Sequence, residues 1–191
     1  MPLPQERLPL PSLEAMTEAQ RAAANDLIAG PRKGVKGPFI PLLRSPELMT
    51  RLQKVGEYLR FQSSLAPRIS EFSTLCVARA WSQQFEWVVH VPLALKAGTS
   101  KETIDAIREG RRPASMSLAE AVVYDFIAEL LTTKGIAQAT YDAVMSELGD
   151  QGLIDLVGVV GYFTSMCMVI NVAHTPPESG NDVDLLPSLP R

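Results

Sequence analysis

The sequence predicts an all-α protein of a single domain, and three observations carry that expectation. Apolar residues recur at helical spacing in successive stretches, residues that start and stop helices bound most of those stretches, and no run alternates as a half-buried strand does. At 191 residues the chain is long enough for one substantial core and short for two well-packed domains. About eight helices are expected in a domain spanning residues 14–175, between a proline-rich arm at 1–13 and a proline-rich tail at 176–191.

The elements follow in order. The arm, MPLPQERLPLPSL, reads as extended, and it lacks the basic stretch followed by an apolar run that marks a secretory signal. A cytoplasmic location is therefore expected. TEAQRAAANDLIA is the first helix, with Thr17 as N-cap and Gln20 three residues on. Residues 30–46, GPRKGVKGPFIPLLRSP, hold too many Gly and Pro residues for a helix and are expected to be a long loop of the kind that often carries function. Ser45 before Pro46 marks the next helix start, after which Leu48, Leu52, Val55 and Leu59 repeat at helical spacing.

From Ser70, a plausible cap, to Gly98, a plausible stop, runs SEFSTLCVARAWSQQFEWVVHVPLALKAG. Pro92 and the polar break at Ser82 make this two helices or one bent helix. TSKETIDAIREG supplies a short helix capped by Thr99 or Ser100, and SLAEAVVYDFIAELLTTKG a longer one with Ser117 ahead of Glu120. AQATYDAVMSELGD and the apolar run from Gly152 complete the set. Residues 153–173 have the length of a bilayer-spanning helix, but Asp155, Thr164, Ser165 and Asn171 interrupt them and no Lys or Arg flanks them. A core or interface helix is the better reading, with no membrane partner.

A formal charge of −3 with scattered cations offers no basic footprint, so nucleic acid is not expected as a partner. Cys76 and Cys167 both lie in apolar runs, where a free cysteine is usually a small buried hydrophobe. The two histidines, His90 and His174, lack nearby carboxylates at zinc-ligand spacing, so no metal is expected. His174 could sit at a helix C-terminus, which favours its charged form.

SQQFEWVVHVP, residues 82–92, is the chemically informative stretch. On a helix Gln83, Glu86 and His90 would share one face, beside a good deal of apolar side chain. Spacing alone favours an ordinary i,i+4 pair over a site, since Glu and His fall four apart in many helices. Burial in an apolar cleft would raise a carboxyl pKa and lower that of a histidine, bringing both toward neutrality, whereas a helix start near Ser82 would favour the Glu86 anion.

The segment SEFSTLCVARAWSQQFEWVVHVPLALKAGTSKETIDAIREG resembles the core of the carboxymuconolactone decarboxylase and AhpD-like superfamily. Members typically carry a glutamate, eleven intervening residues, Cys-x-x-Cys, and a histidine four residues beyond; here Glu71 and His90 match the ends, while Gln83 and Glu86 stand at the cysteine positions. KAGTSKETIDAI matches the turn and helix that follow, and GPF, SPEL, EYLRF and GLIDLVGVVGYFTSMCMVIN extend the likeness more loosely. A thiol peroxidase needs a thiolate and a resolving thiol at those positions, so that activity is disfavoured. Carboxymuconolactone decarboxylase itself has a similar Glu-x-x-x-His arrangement.

The resemblance implies an AhpD-like fold, trimers or hexamers, and acid-base chemistry without a cofactor on a small unsaturated acid or lactone from aromatic breakdown. His90, Glu86 and Glu71 are the expected catalytic residues, and Gln83, Phe39 and Trp87 the expected substrate contacts. Other readings stand beside these: Glu71 as a first-turn acid, Phe39 as a loop anchor, and Trp81, Phe85 and Trp87 as core or interface residues. Arg60, Arg68 and Arg79 could each meet a substrate carboxylate or an ordinary carboxylate partner. A non-catalytic oligomer of the same fold is the alternative to an enzyme.

Overall fold

The computed structural model describes residues 5–177 and 183–187. Among them regular structure is confined to eight helices: α1 (Glu18–Ala29), α2 (Phe39–Leu42), α3 (Pro46–Phe61), α4 (Pro67–Ala80), α5 (Gln84–Lys96), α6 (Lys101–Glu109), α7 (Leu118–Thr133) and α8 (Gln138–Ala173).

Local chemistry explains most of the boundaries. Thr17 with Gln20 and Ser117 with Glu120 form reciprocal capping boxes, and Ser100 caps α6 through the Thr103 amide. Pro46 and Pro67 open α3 and α4, where their missing N–H costs nothing. Between α4 and α5 the chain breaks at Ser82, whose φ of 44° lies in the left-handed region. Ser70–Gly98 is thus part of two helices, and Pro92 is accommodated inside the second. Gly149 (φ 69°, ψ −178°) interrupts α8, a geometry that glycine adopts without a Cβ penalty.

Two expectations fail, those for Ser70 and for the 30–46 loop, and α3 turns a different face to the core than its leucine and valine spacing suggests. Ser70 is not a cap: α4 begins earlier, at Pro67 with Ala66 as N-cap, and Ser70 lies buried within it. The fixed φ of Pro67 supplies the start that a capping serine would otherwise give. In α3, Leu48 and Val55 are exposed, and the buried face is Met49, Gln53, Gly56 and Leu59. Gln53 can be buried there because its amide donates to Asp26 at 2.6 Å. Lastly, the loop at 30–46 contains the one-turn α2, whose Pro41 sits in a first turn that needs no proline N–H.

Helix α4 is central, packed against α3, α5, α6, α7 and α8. Trp87, Phe72, Phe126, Leu156 and Met166 are almost wholly buried in the core it forms with α5, α7 and α8. Although α8 is long and apolar enough to cross a bilayer, it directs Leu156, Val159, Val160, Phe163, Met166, Cys167 and Ile170 into this core. Ile154, Val157, Met168 and Val172 remain exposed on it. Asp155 accepts from Tyr58 and Ser64, tying the α3–α4 connection to α8.

Both ends of the described chain fold back onto the helices. Arg7 donates its backbone N–H to Ala173 O and its guanidinium to Val172 O, satisfying carbonyls that the end of α8 leaves open. His174 is the left-handed C-cap of α8. Leu186 is buried in the core, and the Gln84 amide pairs with its backbone N–H and carbonyl.

Candidate active site

Glu71 from α4 and Glu86 and His90 from α5 converge because those two helices pack directly on each other. His90 Nδ1 lies 2.5 Å from Glu71 Oε2, and His90 Nε2 lies 3.4 Å from Glu86 Oε2. The first is a short, charge-assisted hydrogen bond; the second is an ion-pair contact longer than an ideal hydrogen bond. His90 is 2% exposed and Glu86 4%. The Phe163 ring meets the imidazole edge-on at 5.1 Å. Burial alone would disfavour the imidazolium, but the hydrogen bonds and charges of Glu71 and Glu86 outweigh it and raise the His90 pKa above its ordinary value.

Glu86 and His90 form one wall of a cavity of about 290 Å³. Phe85 and Val89 extend that wall, Tyr162, Phe163 and Met166 of α8 face it, Arg60 and Phe61 close the α3 side, and the 31–39 segment brings Arg32, Lys36 and Phe39. The volume suits a small, single-ring or short-chain molecule. Such a surface can bind an organic anion through its cations and can exchange a proton with it through Glu86 and His90.

The structure brings some of the expected site residues together and separates others. Glu86, His90 and Phe39 line the cavity, and Glu71 stands behind His90. Gln83 does not continue the Glu86–His90 face. It is the N-cap of α5, where its carbonyl oxygen accepts from the Phe85 amide at 2.5 Å and its NH2 donates to Asn171 at 2.9 Å. Trp87 points into the core, fully buried, with its indole N–H on Asp184 O at 2.9 Å. Neither is among the residues lining the cavity. Of the three arginines considered from sequence, Arg68 pairs with Glu120 and Arg79 donates to Arg108 O, while Arg60 reaches the cavity.

Arg32 and Tyr162 were not singled out from sequence. Arg32 Nη2 donates to Tyr162 Oη at 3.2 Å, and its guanidinium lies 4.5 Å from the centre of the Phe39 ring. The available signals were a basic residue in the Gly-Pro loop beside Phe39 and a lone tyrosine within the apolar 153–173 run. Cys76 and Cys167 are both buried, burial raises both thiol pKa values, and neither lines this cavity.

The model of the carboxymuconolactone decarboxylase family matches residues 46–129, a span that contains Glu71, Glu86 and His90. Over that span the chain is similar to the carboxymuconolactone decarboxylase family, and its fold is AhpD-like. An AhpD-core crystal structure, an uncharacterised peroxidase-related protein from Ralstonia eutropha JMP134, superposes with a TM-score of 0.74 at 15% identity, covering 92% of this chain and 94% of its own. A second uncharacterised peroxidase-related protein, from Silicibacter sp. TM1040, gives 0.73 at 15% identity over 94% of this chain and 96% of its own. An AhpD-type protein of unknown function from Agrobacterium tumefaciens gives 0.65 at 14% identity over 76% and 100%. No curated protein matches. At these identities the likeness is one of fold, and this chain carries Gln83 and Glu86 where the pattern it resembles has a cysteine pair.

Proposed function

We propose that this protein is a cofactor-independent acid-base enzyme of the carboxymuconolactone decarboxylase type, acting on a small unsaturated carboxylic acid or lactone from aromatic breakdown. The observation that carries this reading is His90 held between Glu71 and Glu86 at the wall of a cavity sized for such a molecule. Glu71 fixes the ring and stabilises its cation, so that Nε2–H is the proton available on the cavity side. In a decarboxylation the bond from carbon to the departing carboxylate breaks, its electron pair delocalises into the conjugated carbonyl, and His90 protonates the distal carbon. Solvent then reprotonates His90. For an isomerisation, Glu86 would remove the proton from carbon and His90 would return one further along the conjugated system.

Two of the structural relatives are described as peroxidase-related. Against carrying thiol chemistry to this chain stand the burial of both cysteines and their raised pKa values, since the thiolate is the nucleophile. We also propose a cytoplasmic homo-oligomer, a trimer or hexamer, in which a second copy covers the exposed apolar stripe of α8, Ile154, Val157, Met168 and Val172.

The test is a spectrophotometric panel of carboxymuconolactone and related unsaturated lactones and acids, without added cofactor, following loss of conjugation and release of carbon dioxide. Turnover that disappears in His90→Gln, with oligomeric state retained, is expected. Turnover that survives in His90→Gln, or silence from the folded wild type across the panel, contradicts the reading and favours a non-catalytic binding oligomer.

A further inference from the structure

The cavity has a second polar pole, and the acid-base residues do not explain it. Arg32, Lys36 and Arg60 all line it, against a single lining carboxylate, Glu86. Among the described residues neither Arg32 nor Arg60 has a carboxylate within ion-pair distance, whereas Arg51, Arg68, Arg111 and Arg112 are each paired with one. The Nε atoms of Arg32 and Arg60 are buried without a hydrogen-bond partner. What holds these side chains is aromatic and neutral: Arg32 lies over Phe39 and donates to Tyr162, and the Arg60 guanidinium lies 5.1 Å from the centre of the Phe61 ring.

This arrangement is costly to the fold in three ways. Burial lowers the Arg32 pKa and the neighbouring Arg60 charge acts in the same direction, outweighing the opposite pull of Tyr162, Glu86 and Glu57. Unsatisfied buried N–H groups lose their hydration without replacement. Helix α3 also carries a glycine in its middle, Gly56, where a Cβ would stand 2.2 Å from Tyr162 Oη and 2.6 Å from Arg32 Nη2. The helix thus gives up a side chain to make room for the Arg32–Tyr162 pair. Two cations set side by side with open donors, on a protein of net charge −3, form a concentrated positive field suited to an anion.

We propose that Arg32 and Arg60 form a carboxylate-binding subsite that holds a retained carboxylate of an organic anion, with the reacting end of the same molecule against Glu86 and His90. The flanking Phe39, Phe61 and Met166 favour a carbon skeleton over an inorganic anion. The orientation rests on the acid-base reading above. A carboxylate clamped by two guanidiniums is stabilised as an anion, which opposes its loss as carbon dioxide, so the clamped group is the one that stays.

The test is calorimetric titration of the whole protein with muconate, a six-carbon conjugated dicarboxylate, with its dimethyl ester and with inorganic phosphate, at neutral pH and low salt. Muconate is expected to bind, with affinity falling at least about tenfold in Arg32→Gln and in Arg60→Gln and for the diester. Both variants should keep the wild-type oligomeric state and melt no lower, because each removes an unpaired cation. Equal binding of acid and ester, phosphate binding as tight as muconate, no muconate binding up to millimolar concentration, or unchanged affinity in both variants would overturn the subsite. Titration requires no turnover, so its outcome is separable from that of the activity panel. Muconate binding in a protein silent toward the whole panel would leave the subsite and remove the acid-base reading. Turnover of a lactone unaffected by Arg60→Gln and Arg32→Gln would do the reverse.

Discussion

Replacing Asp155 by alanine removes the acceptor that fastens the α3–α4 connection to α8. The carboxylate, 6% exposed, accepts from Tyr58 Oη at 3.0 Å and from the Ser64 amide and hydroxyl, both at 2.8 Å. Hydrogen bonds to a charged group are each worth about 1.5–3 kcal/mol. Tyr58 and Ser64 are exposed, so water can replace part of what they lose and about 1 kcal/mol per bond is the better figure. The sum, about 3 kcal/mol, is a large share of a typical domain's stability. With a urea slope of about 2 kcal/mol/M the unfolding midpoint should fall by about 1.5 M at neutral pH. Burial pushes the Asp155 carboxyl up, but the bonds from Ser64 and Tyr58 outweigh it and hold the pKa below its ordinary value. Its contribution is therefore complete above the unfolded-state value, about 3.9, and is lost as pH falls through the lower folded-state value. The wild type and Asp155→Ala should converge in acid. A midpoint shift under about 0.3 M at neutral pH, or one that persists unchanged in acid, would refute the reasoning. The expected loosening also reaches the cavity, since Arg60 and Phe61 end the helix that this tie secures.

Arg68→Ala strips the fully buried Glu120 carboxylate of a two-point partner, at 2.9 and 2.8 Å, leaving it the Ser117 amide. Because the arginine side chain is 39% exposed, a loss of about 2 kcal/mol is expected, read as a melting temperature lower by about 4–8 °C. Glu71→Gln keeps the shape of the His90 partner and removes its charge, so turnover should drop by about 100-fold with KM changed less than about threefold. In the wild type, activity that needs the His90 acid should fall as pH rises through its raised pKa; in Glu71→Gln that limb should move to lower pH. Cys76→Ser and Cys167→Ala should each retain turnover in the same panel, and loss of activity in both would return thiol chemistry to consideration.

Local features of the fold were legible because their causes are local. Capping boxes at Thr17 and Ser117 and the polar break at Ser82 depend on residues a few positions apart. Where two local signals competed, the stiffer one won: Pro67 starts α4, and Ser70 is carried into its interior. The buried face of α3 was not legible, because burial there follows specific partners, Asp26 for Gln53 and the Arg32–Tyr162 pair over Gly56. At the candidate site, the proximity of Glu86 and His90 follows from one turn of helix. The Gln83 reading failed because α5 begins one residue later, turning that side chain to Asn171. Arg32 and Tyr162 meet across 130 residues of chain, a pairing that helical spacing does not encode.

The most direct test of the central claim needs no substrate. With two histidines in the chain, a ¹⁵N titration of the imidazoles gives two separable curves, assigned with His90→Gln. The account predicts that His90 remains an imidazolium above the ordinary histidine range and loses that elevation in Glu71→Gln. A His90 that titrates at or below the ordinary value in the wild type, or one indifferent to Glu71→Gln, would contradict it.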